Sequence, residues 1–191
     1  MTRISLLESA HALIGQHLSP GDAAVDATVG NGHDTLFLAQ CVGGQGRVFG
    51  FDVQSTAIES TRQRLRQHEM EQRVTLIQTS HAEMRQAIPA EYHGRLRAVM
   101  FNLGYLPGAD KSVITQADSS LAAVDDACRL LAGDGLMTVL AYPGHAGGDD
   151  ETRCLEAWLT RLDAGVFQWR TVLSQHHRDS APRLFVIRKR V

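Results

Sequence analysis

Residues Val25-Asp26-Ala27-Thr28-Val29-Gly30-Asn31-Gly32-His33-Asp34-Thr35 form a short apolar run that ends in a glycine-rich turn, and a helical pattern follows at once. Gly30 and Gly32 can take backbone angles closed to other residues and leave no Cβ in the way of a ligand lying against the chain. Twenty positions after Gly32, Asp52 closes a second apolar run, Arg47-Val48-Phe49-Gly50-Phe51. In a doubly wound sheet, an acid at the tip of the second strand reaches the ribose hydroxyls of an adenosine lying over the first. Turn and acid together describe one nucleotide-type pocket. A ligand-free strand-to-helix turn is the plain alternative, since Gly and Asn are ordinary turn residues, but it leaves the placing of Asp52 unexplained.

Two cofactor classes occupy such pockets. A nicotinamide site calls for G-x-G-x-x-G, with the pyrophosphate on the helix N-terminus and a third glycine where helix meets strand. Here the third position is Thr35, and Asp26 and Asp34 flank the loop. Carboxylates repel a pyrophosphate and attract an ammonium or a sulfonium. The loop therefore suits S-adenosyl-L-methionine, which has no phosphate and carries positive charge.

Ligands in open α/β sheets sit outside the carboxyl ends of the strands, so the expected strand ends hold the other candidates. They are Asp26 and Thr28 on strand one, Asp52 on strand two and Ser80-His81 on strand three. Strand four ends in Asn102-Leu103-Gly104-Tyr105 and strand five in Tyr142-Pro143-Gly144-His145. Asn102 to Tyr105 resembles the (D/N)-P-P-(Y/F) turn of methyltransferases that modify amino nitrogen. An amine attacks a methyl group only with its lone pair free and aligned. The Asn102 amide oxygen and the Leu103 carbonyl could accept its N–H groups and aim that lone pair, with Tyr105 packed beside it; such positioning can supply about 7–11 kcal/mol of a barrier. The same residues also suit a tight turn, with Gly104 for its backbone angle and Tyr105 half-buried. An alkyl amine with a lysine-like pKa of about 10 needs a proton acceptor at neutral pH. His81 and His145 are in reach by the same strand-end logic, and Tyr142 could orient the substrate. No H-E-x-x-H or comparable spacing occurs, so a metal is not expected.

These side chains need a sheet to bring them together. Leu6, Ala10, Leu13 and His17, with Leu7 and Ile14, recur at three and four residues and predict an amphipathic helix over about 4–18, packing beside or over the cofactor site. Strands are expected at about 23–28, 47–52, 73–78, 98–101 and 136–142, with helices at about 33–42 and 55–69 between them. Ala117, Leu121, Val124, Cys128 and Leu131 mark another helix, stopped by Gly133-Asp134-Gly135, and Leu155, Trp158, Leu159 and Leu162 mark the next. Segments 166–173 and 184–187 read as closing strands, adding one antiparallel strand to a parallel sheet. The alternation predicts an α/β, Rossmann-like sheet with helices on both faces.

At 191 residues and 43% hydrophobic content, residues 1–191 suit a single domain with one good core. No apolar run is long enough to span a bilayer and no leader pattern opens the chain, so a cytoplasmic protein is expected. Cys41, Cys128 and Cys154 are widely spaced and odd in number, and read as small apolar residues rather than a disulfide or thiolate-metal framework. The formal net charge of −2 argues against holding long nucleic acid by bulk charge. Arg62, Arg64 and Arg66, and Arg188-Lys189-Arg190, are local basic clusters that fit either solvated faces or contacts to a small folded RNA.

Beyond single motifs, Asp26 to Thr35, Phe51-Asp52-Val53-Gln54, Ser80-His81, Phe101 to Gly108, Asp110-Lys111-Ser112 and Tyr142-x-Gly144-His145 resemble a small bacterial rRNA methylase family. Its members are identified as tRNA 5-(aminomethyl)-2-thiouridine methyltransferases, and the similarity covers nearly the whole chain. It implies a seven-stranded class I methyltransferase fold, a homodimer, and methyl transfer from S-adenosyl-L-methionine to the aminomethyl group of a wobble uridine. The product would be S-adenosyl-L-homocysteine (SAH), and the substrate tRNA would present its anticodon stem-loop. By position, Asp26, Thr28, Gly30, Asn31, Gly32, Asp34, Asp52 and Gln54 would hold the cofactor, with Ser80 and His81 on the adenine side. Asn102, Tyr105, Tyr142 and His145 would face the amine or nucleobase, Asn102 also touching the cofactor. Two departures stand out: Pro143 replaces a histidine of some relatives, and Arg178-Asp179-Ser180-Ala181-Pro182 replaces an Asn-Asp-Pro-Pro type turn. An rRNA base or a small-molecule amine is the alternative acceptor, and a non-catalytic cofactor sensor or a nicotinamide dehydrogenase are the readings from other classes.

Overall fold

The computed structural model describes residues 5–104, 117–144, 147–173 and 180–191. Its first element, α1 (Leu6–His17), begins where Ser5 and Glu8 exchange bonds, the Ser5 hydroxyl accepting from the Glu8 N–H and the Glu8 carboxylate from the Ser5 N–H. This reciprocal cap satisfies two N–H groups that the first turn leaves without partners. Next come β1 (Ala23–Asp26), α2 (His33–Val42), β2 (Arg47–Asp52), α3 (Ser55–Gln67) and β3 (Val74–Gln78). A 3₁₀ turn over His81–Glu83 leads into α4 (Met84–Ala87), and β4 (Leu96–Leu103) follows. The chain closes with α5 (Ala117–Leu130), β5 (Leu131–Ala141), α6 (Gly148–Leu159), β6 (Phe167–Leu173) and β7 (Arg183–Lys189).

The seven strands form one sheet in the order β3-β2-β1-β4-β5-β7-β6. All neighbours pair in parallel except β7, which runs antiparallel to both β5 and β6. That is the single reversed strand expected from the hairpin-like finish. The order reverses between β1 and β4, so the loops after β1, β2 and β4 open onto one crevice, where ligands of such sheets bind.

Side chains alternate across each strand and feed two cores. Val25, Phe49, Val99 and Val139 face one side, with Val124 and Ala127 of α5 and Leu155 and Leu159 of α6. Ala24, Val48, Ala98 and Met100 face the other, with Ile14 of α1, Leu38 and Val42 of α2 and Leu65 of α3.

Two boundaries differ from expectation. The helix expected through Leu131 ends at Leu130, and Leu131 already pairs with Leu96, whereas the continuous ladder resumes at Leu136 opposite Ala98. Ala132 to Gly135 bulge between those pairs, with Asp134 at a φ of 68° and Gly135 lying against the Leu96 carbonyl. The stretch between β3 and β4, in which no helix was expected, supplies α4 and buries Met84 and Ile88 beneath the sheet. Among the described residues, no helix is long and apolar enough to cross a membrane.

Leu38 is fully buried between α2 and the sheet. Leu38→Ala should cost about 2–5 kcal/mol, visible as a lower urea midpoint with an unchanged slope.

Candidate active site

The turn from β1 to α2 is built on left-handed glycines, Gly30 at a φ of 52° and Gly32 at 75°. A Cβ on Gly32 would lie 2.5 Å from the Thr61 hydroxyl oxygen, so α3 packs directly on the turn. Thr61 in turn donates to the Gly30 carbonyl at 3.2 Å. Arg64, one helical turn further on, donates from Nε to the Asn31 carbonyl at 2.8 Å. Neither contact was legible without knowing that α3 lies over the loop.

Asp26 is fully buried beneath the turn. Its carboxylate accepts from the Thr35 hydroxyl at 2.5 Å and from the Thr28 N–H at 3.1 Å. Burial pushes its pKa up, the negative charge of Asp34 adds to the rise, and the two hydrogen bonds only partly oppose it, leaving it at about 7. Asp26 and Gly32, expected at the cofactor, are not among the residues that line the cavity; they shape the loop that does.

The other loop residues do reach the wall. A cavity of about 660 Å³ is lined by Thr28, Gly30, Asn31 and Asp34 from the turn and by Asp52 and Gln54 from the end of β2. Ser80 and His81, Asn102, and Tyr142 complete it from the ends of β3, β4 and β5. Its size is that of a pocket for a cofactor-sized ligand. Phe51, Val53, Ala27 and Leu103 add apolar surface. Tyr105 and His145 lie outside the described residues.

Polar contacts cross from strand to strand. Asp52 accepts from the Gly30 N–H at 2.9 Å and from the Gln54 N–H at 2.9 Å, which ties the tip of β2 to the glycine turn. A carboxylate has about four acceptor positions, so Asp52 retains capacity for a pair of ribose hydroxyls. The Thr28 hydroxyl accepts from the Asn102 N–H at 2.7 Å and fixes the end of β4. Ser80 accepts from the Ala82 N–H at 3.2 Å, capping the turn that carries His81.

His81 is buried and its Nδ1 lies 3.1 Å from the Ala27 carbonyl. That oxygen can only accept, so Nδ1 carries the proton and Nε2 is left as an acceptor. Nε2 is buried and has no partner among the described residues. Burial holds the pKa of His81 below the usual histidine range, outweighing the Ala27 hydrogen bond and the Asp52 charge. It is thus a weak base whose residue lines the cavity while its Nε2 atom stays buried. The Tyr142 phenol is half-buried, and burial, with the Asp34 charge second, raises its pKa and keeps it neutral.

Asp34 carries the contact least visible from sequence. One carboxylate oxygen lies 2.6 Å from Nε2 of His11 on α1, and the other accepts from the Asn102 side-chain amide at 3.5 Å. The His11 ring stacks on Phe37 of α2, centroids 4.1 Å apart and planes 5° from parallel. Leu7, four residues before His11, lines the cavity, and that i,i+4 spacing is the one signal that could have pointed to His11.

The basic clusters prove largely internal in their bonding. Arg62 pairs with Glu59 and Glu71, Arg66 with Glu71, and Arg188 with Asp134. Lys189 donates to the Cys128 and Leu131 carbonyls.

A family described as "Putative rRNA methylase" matches residues 48–188. The chain belongs to this rRNA methylase family. It is also 38% identical over 192 residues to a chloroplastic tRNA (mnm(5)s(2)U34)-methyltransferase of Arabidopsis thaliana, covering 96% of this chain and 69% of that one. A Clostridium thermocellum structure described as a "putative rRNA-methylase" superposes with a TM-score of 0.93 at 38% identity, covering 99% of this chain and all of the other. A Streptococcus mutans protein described as "a putative methyltransferase" and solved in complex with SAH gives 0.85 at 32% identity, with 99% of both chains covered. The sheet order and reversed β7 are those of a class I, S-adenosylmethionine-dependent methyltransferase. For the rRNA methylase family match, the acid of β2 and the ends of β3, β4 and β5 all fall within residues 48–188.

Gly32→Ala combines a left-handed angle costing about 1–2 kcal/mol with overpacking worth about 1–3 kcal/mol. A lowered melting temperature should result, and Gly32→Ala/Thr61→Ser should recover only part of it, because the angle remains wrong. The raised Asp26 pKa stabilises the fold below the ordinary aspartate range, and that contribution is lost as pH rises towards about 7. In thermal melts without cofactor, wild type should therefore lose stability relative to Asp26→Asn across that window and level off above it.

Proposed function

We propose that the chain transfers the methyl group of S-adenosyl-L-methionine to the aminomethyl nitrogen of 5-aminomethyl-(2-thio)uridine at the tRNA wobble position. The observation that carries this reading is the Asn102 side chain on the wall of a cavity rimmed by Asp34 and Asp52. The cavity is large enough for the cofactor, and its carboxylates suit an ammonium and a sulfonium. The Arabidopsis relative, named for this chemistry, supports the choice of acceptor.

When bound, S-adenosyl-L-methionine supplies an electrophilic methyl group. Asp52 would accept the ribose hydroxyls, while Gln54, Ser80 and His81 hold the adenine side. Gly30 and Asn31 would present backbone to the cofactor, and Thr28 would keep the loop and β4 in register. Asp34 would attract the positive end of the cofactor, with Asn102 beside it. The Asn102 amide oxygen and the Leu103 carbonyl would accept N–H bonds from the acceptor amine and leave its lone pair free to attack. Tyr142, together with Tyr105 and His145 of the segments not described, would face the nucleobase or the amine. Methyl transfer would leave S-adenosyl-L-homocysteine and a positively charged amine that loses a proton, with the Asn102 and Leu103 oxygens placed to hold its N–H groups.

The proposal includes a homodimer acting in the cytoplasm. Trp169 on the edge strand β6 is 40% exposed and Leu173 is 52% exposed, which offers apolar surface to a second copy.

Purified protein incubated with S-adenosyl-L-methionine and tRNA bearing aminomethyl uridine at the wobble position should add one methyl to that nucleoside, read by nucleoside mass spectrometry. No gain, with cofactor binding confirmed separately, would move the acceptor to an rRNA base or a small-molecule amine. Asn102→Ala should reduce turnover about 10²-fold or more with cofactor affinity nearly intact; an equal loss of cofactor binding would instead make Asn102 part of the cofactor shell.

A further inference from the structure

We infer that His11, carried by the N-terminal helix, is a positioning residue that acts through Asp34 to fix the side-chain amide of Asn102 with its oxygen towards the acceptor amine. The inference rests on the reading of Asn102 as the group that aims that amine.

A carboxylate can only accept hydrogen bonds. Nε2 of His11, 2.6 Å from Asp34 Oδ1, is therefore the protonated nitrogen and donates. The other oxygen, Oδ2, lies 3.5 Å from the Asn102 amide. Turning that amide over would set a carbonyl oxygen against a carboxylate oxygen, a repulsive contact. Asp34 favours one orientation: the Asn102 NH₂ faces the carboxylate and its Oδ1 faces away. That leaves as acceptor the atom the amine needs. At 3.5 Å the Asp34–Asn102 contact is long for a hydrogen bond, so its direction depends on how firmly Asp34 is held.

His11 supplies that hold from outside the cavity. It lies off the cavity wall, and its ring is clamped flat on Phe37. The His11 side chain is 28% exposed and that of Asp34 10%. Asp34 sits in the first turn of α2, so its backbone is set by the glycine turn. Its side-chain rotation is not, and the His11 bond sets it. Two helices thereby fix one torsion: α2 places the carboxylate, and α1 rotates it towards β4.

The test separates donor, ring and helix. His11→Phe keeps the stack on Phe37 and removes the donor, whereas His11→Gln restores an N–H at a similar reach. With the aminomethyl-uridine tRNA, His11→Phe should lower kcat about tenfold or more, with S-adenosyl-L-methionine Kd changed less than about twofold, and His11→Gln should recover most of the loss. Because His11 acts through Asn102, His11→Phe/Asn102→Ala should be no slower than Asn102→Ala alone. A His11→Phe enzyme as fast as wild type, or losses that multiply in the double variant, would overturn the inference.

A second readout does not depend on the acceptor. In ¹⁵N-labelled protein with SAH bound, the Asn102 side-chain NH₂ pair, assigned by its loss in Asn102→Ala, should shift in His11→Phe and return in His11→Gln. If wild type fails to methylate the tRNA, the assignment of the acceptor falls, and this spectrum still decides the link from His11 to Asn102. An NH₂ pair unmoved by His11→Phe would refute it.

Discussion

Everything at the carboxyl end of the sheet hangs on the buried Asp26 carboxylate. The β1 to α2 connection must leave the sheet, turn through two left-handed glycines and start a helix within six residues, Ala27 to Gly32. In that span the Ala27 N–H still reaches the Met100 carbonyl of β4 and the Val29 N–H the Phe51 carbonyl of β2, and side chains add a second set of ties. Asp26 binds the Thr35 hydroxyl of α2 and the Thr28 N–H, and Thr28 then binds the Asn102 N–H of β4. Asp52 closes the other side by accepting from Gly30. Three strand ends and one helix are thus joined by four hydrogen bonds, and the position of Asn102 relative to the glycine turn follows from them rather than from the sheet alone.

The same bonds concentrate negative charge. Asp26, Asp34 and Asp52 sit close enough for the latter two to disturb the first, and burial makes that repulsion costly. A pyrophosphate would add to it, whereas a ligand with an ammonium and a sulfonium relieves it. Selection between cofactor classes therefore follows from this repulsion, and binding of such a cation stabilises the folded state by linkage. Of the basic clusters, Arg62, Arg66 and Arg188 are already matched by Glu59, Glu71 and Asp134.

What was legible in the sequence was whatever a strand end decides. Hydrophobic runs closed by polar residues located β1 to β5, and the polar residues after them met at one cavity because parallel strands bring their carboxyl ends to one edge. Asp26 shows the limit of that logic. Alternation alone would put residues two apart on one side; because the chain leaves strand geometry after Asp26, that carboxylate lies under the turn while Thr28 lines the cavity. The packing of Gly32 on Thr61 depends on the approach of α3, which no local pattern encodes. The α4 segment escaped notice because its four residues are too few to show a helical period. Ala132 to Gly135, read as a helix stop, also form the bulge that lets β5 regain register with β4.

His11 was the hardest residue to find, for a physical reason that bears on how the site works. It sits beside the apolar stripe of α1, on a helix that precedes the first strand and so falls outside any count of strand ends. Its importance comes from the angle at which α1 crosses α2, visible in the stack on Phe37. A methyltransferase must hold a small amine within a narrow cone while its own carboxylates attract every cation that enters. Asp34 alone would serve the second need and defeat the first, because a freely turning carboxylate could bind the amine itself. Occupying one Asp34 oxygen with His11 and directing the other at Asn102 leaves the carboxylate charged but already engaged. The charge then selects the ligand and the Asn102 oxygen aims the nucleophile, two tasks that a single carboxylate would confuse.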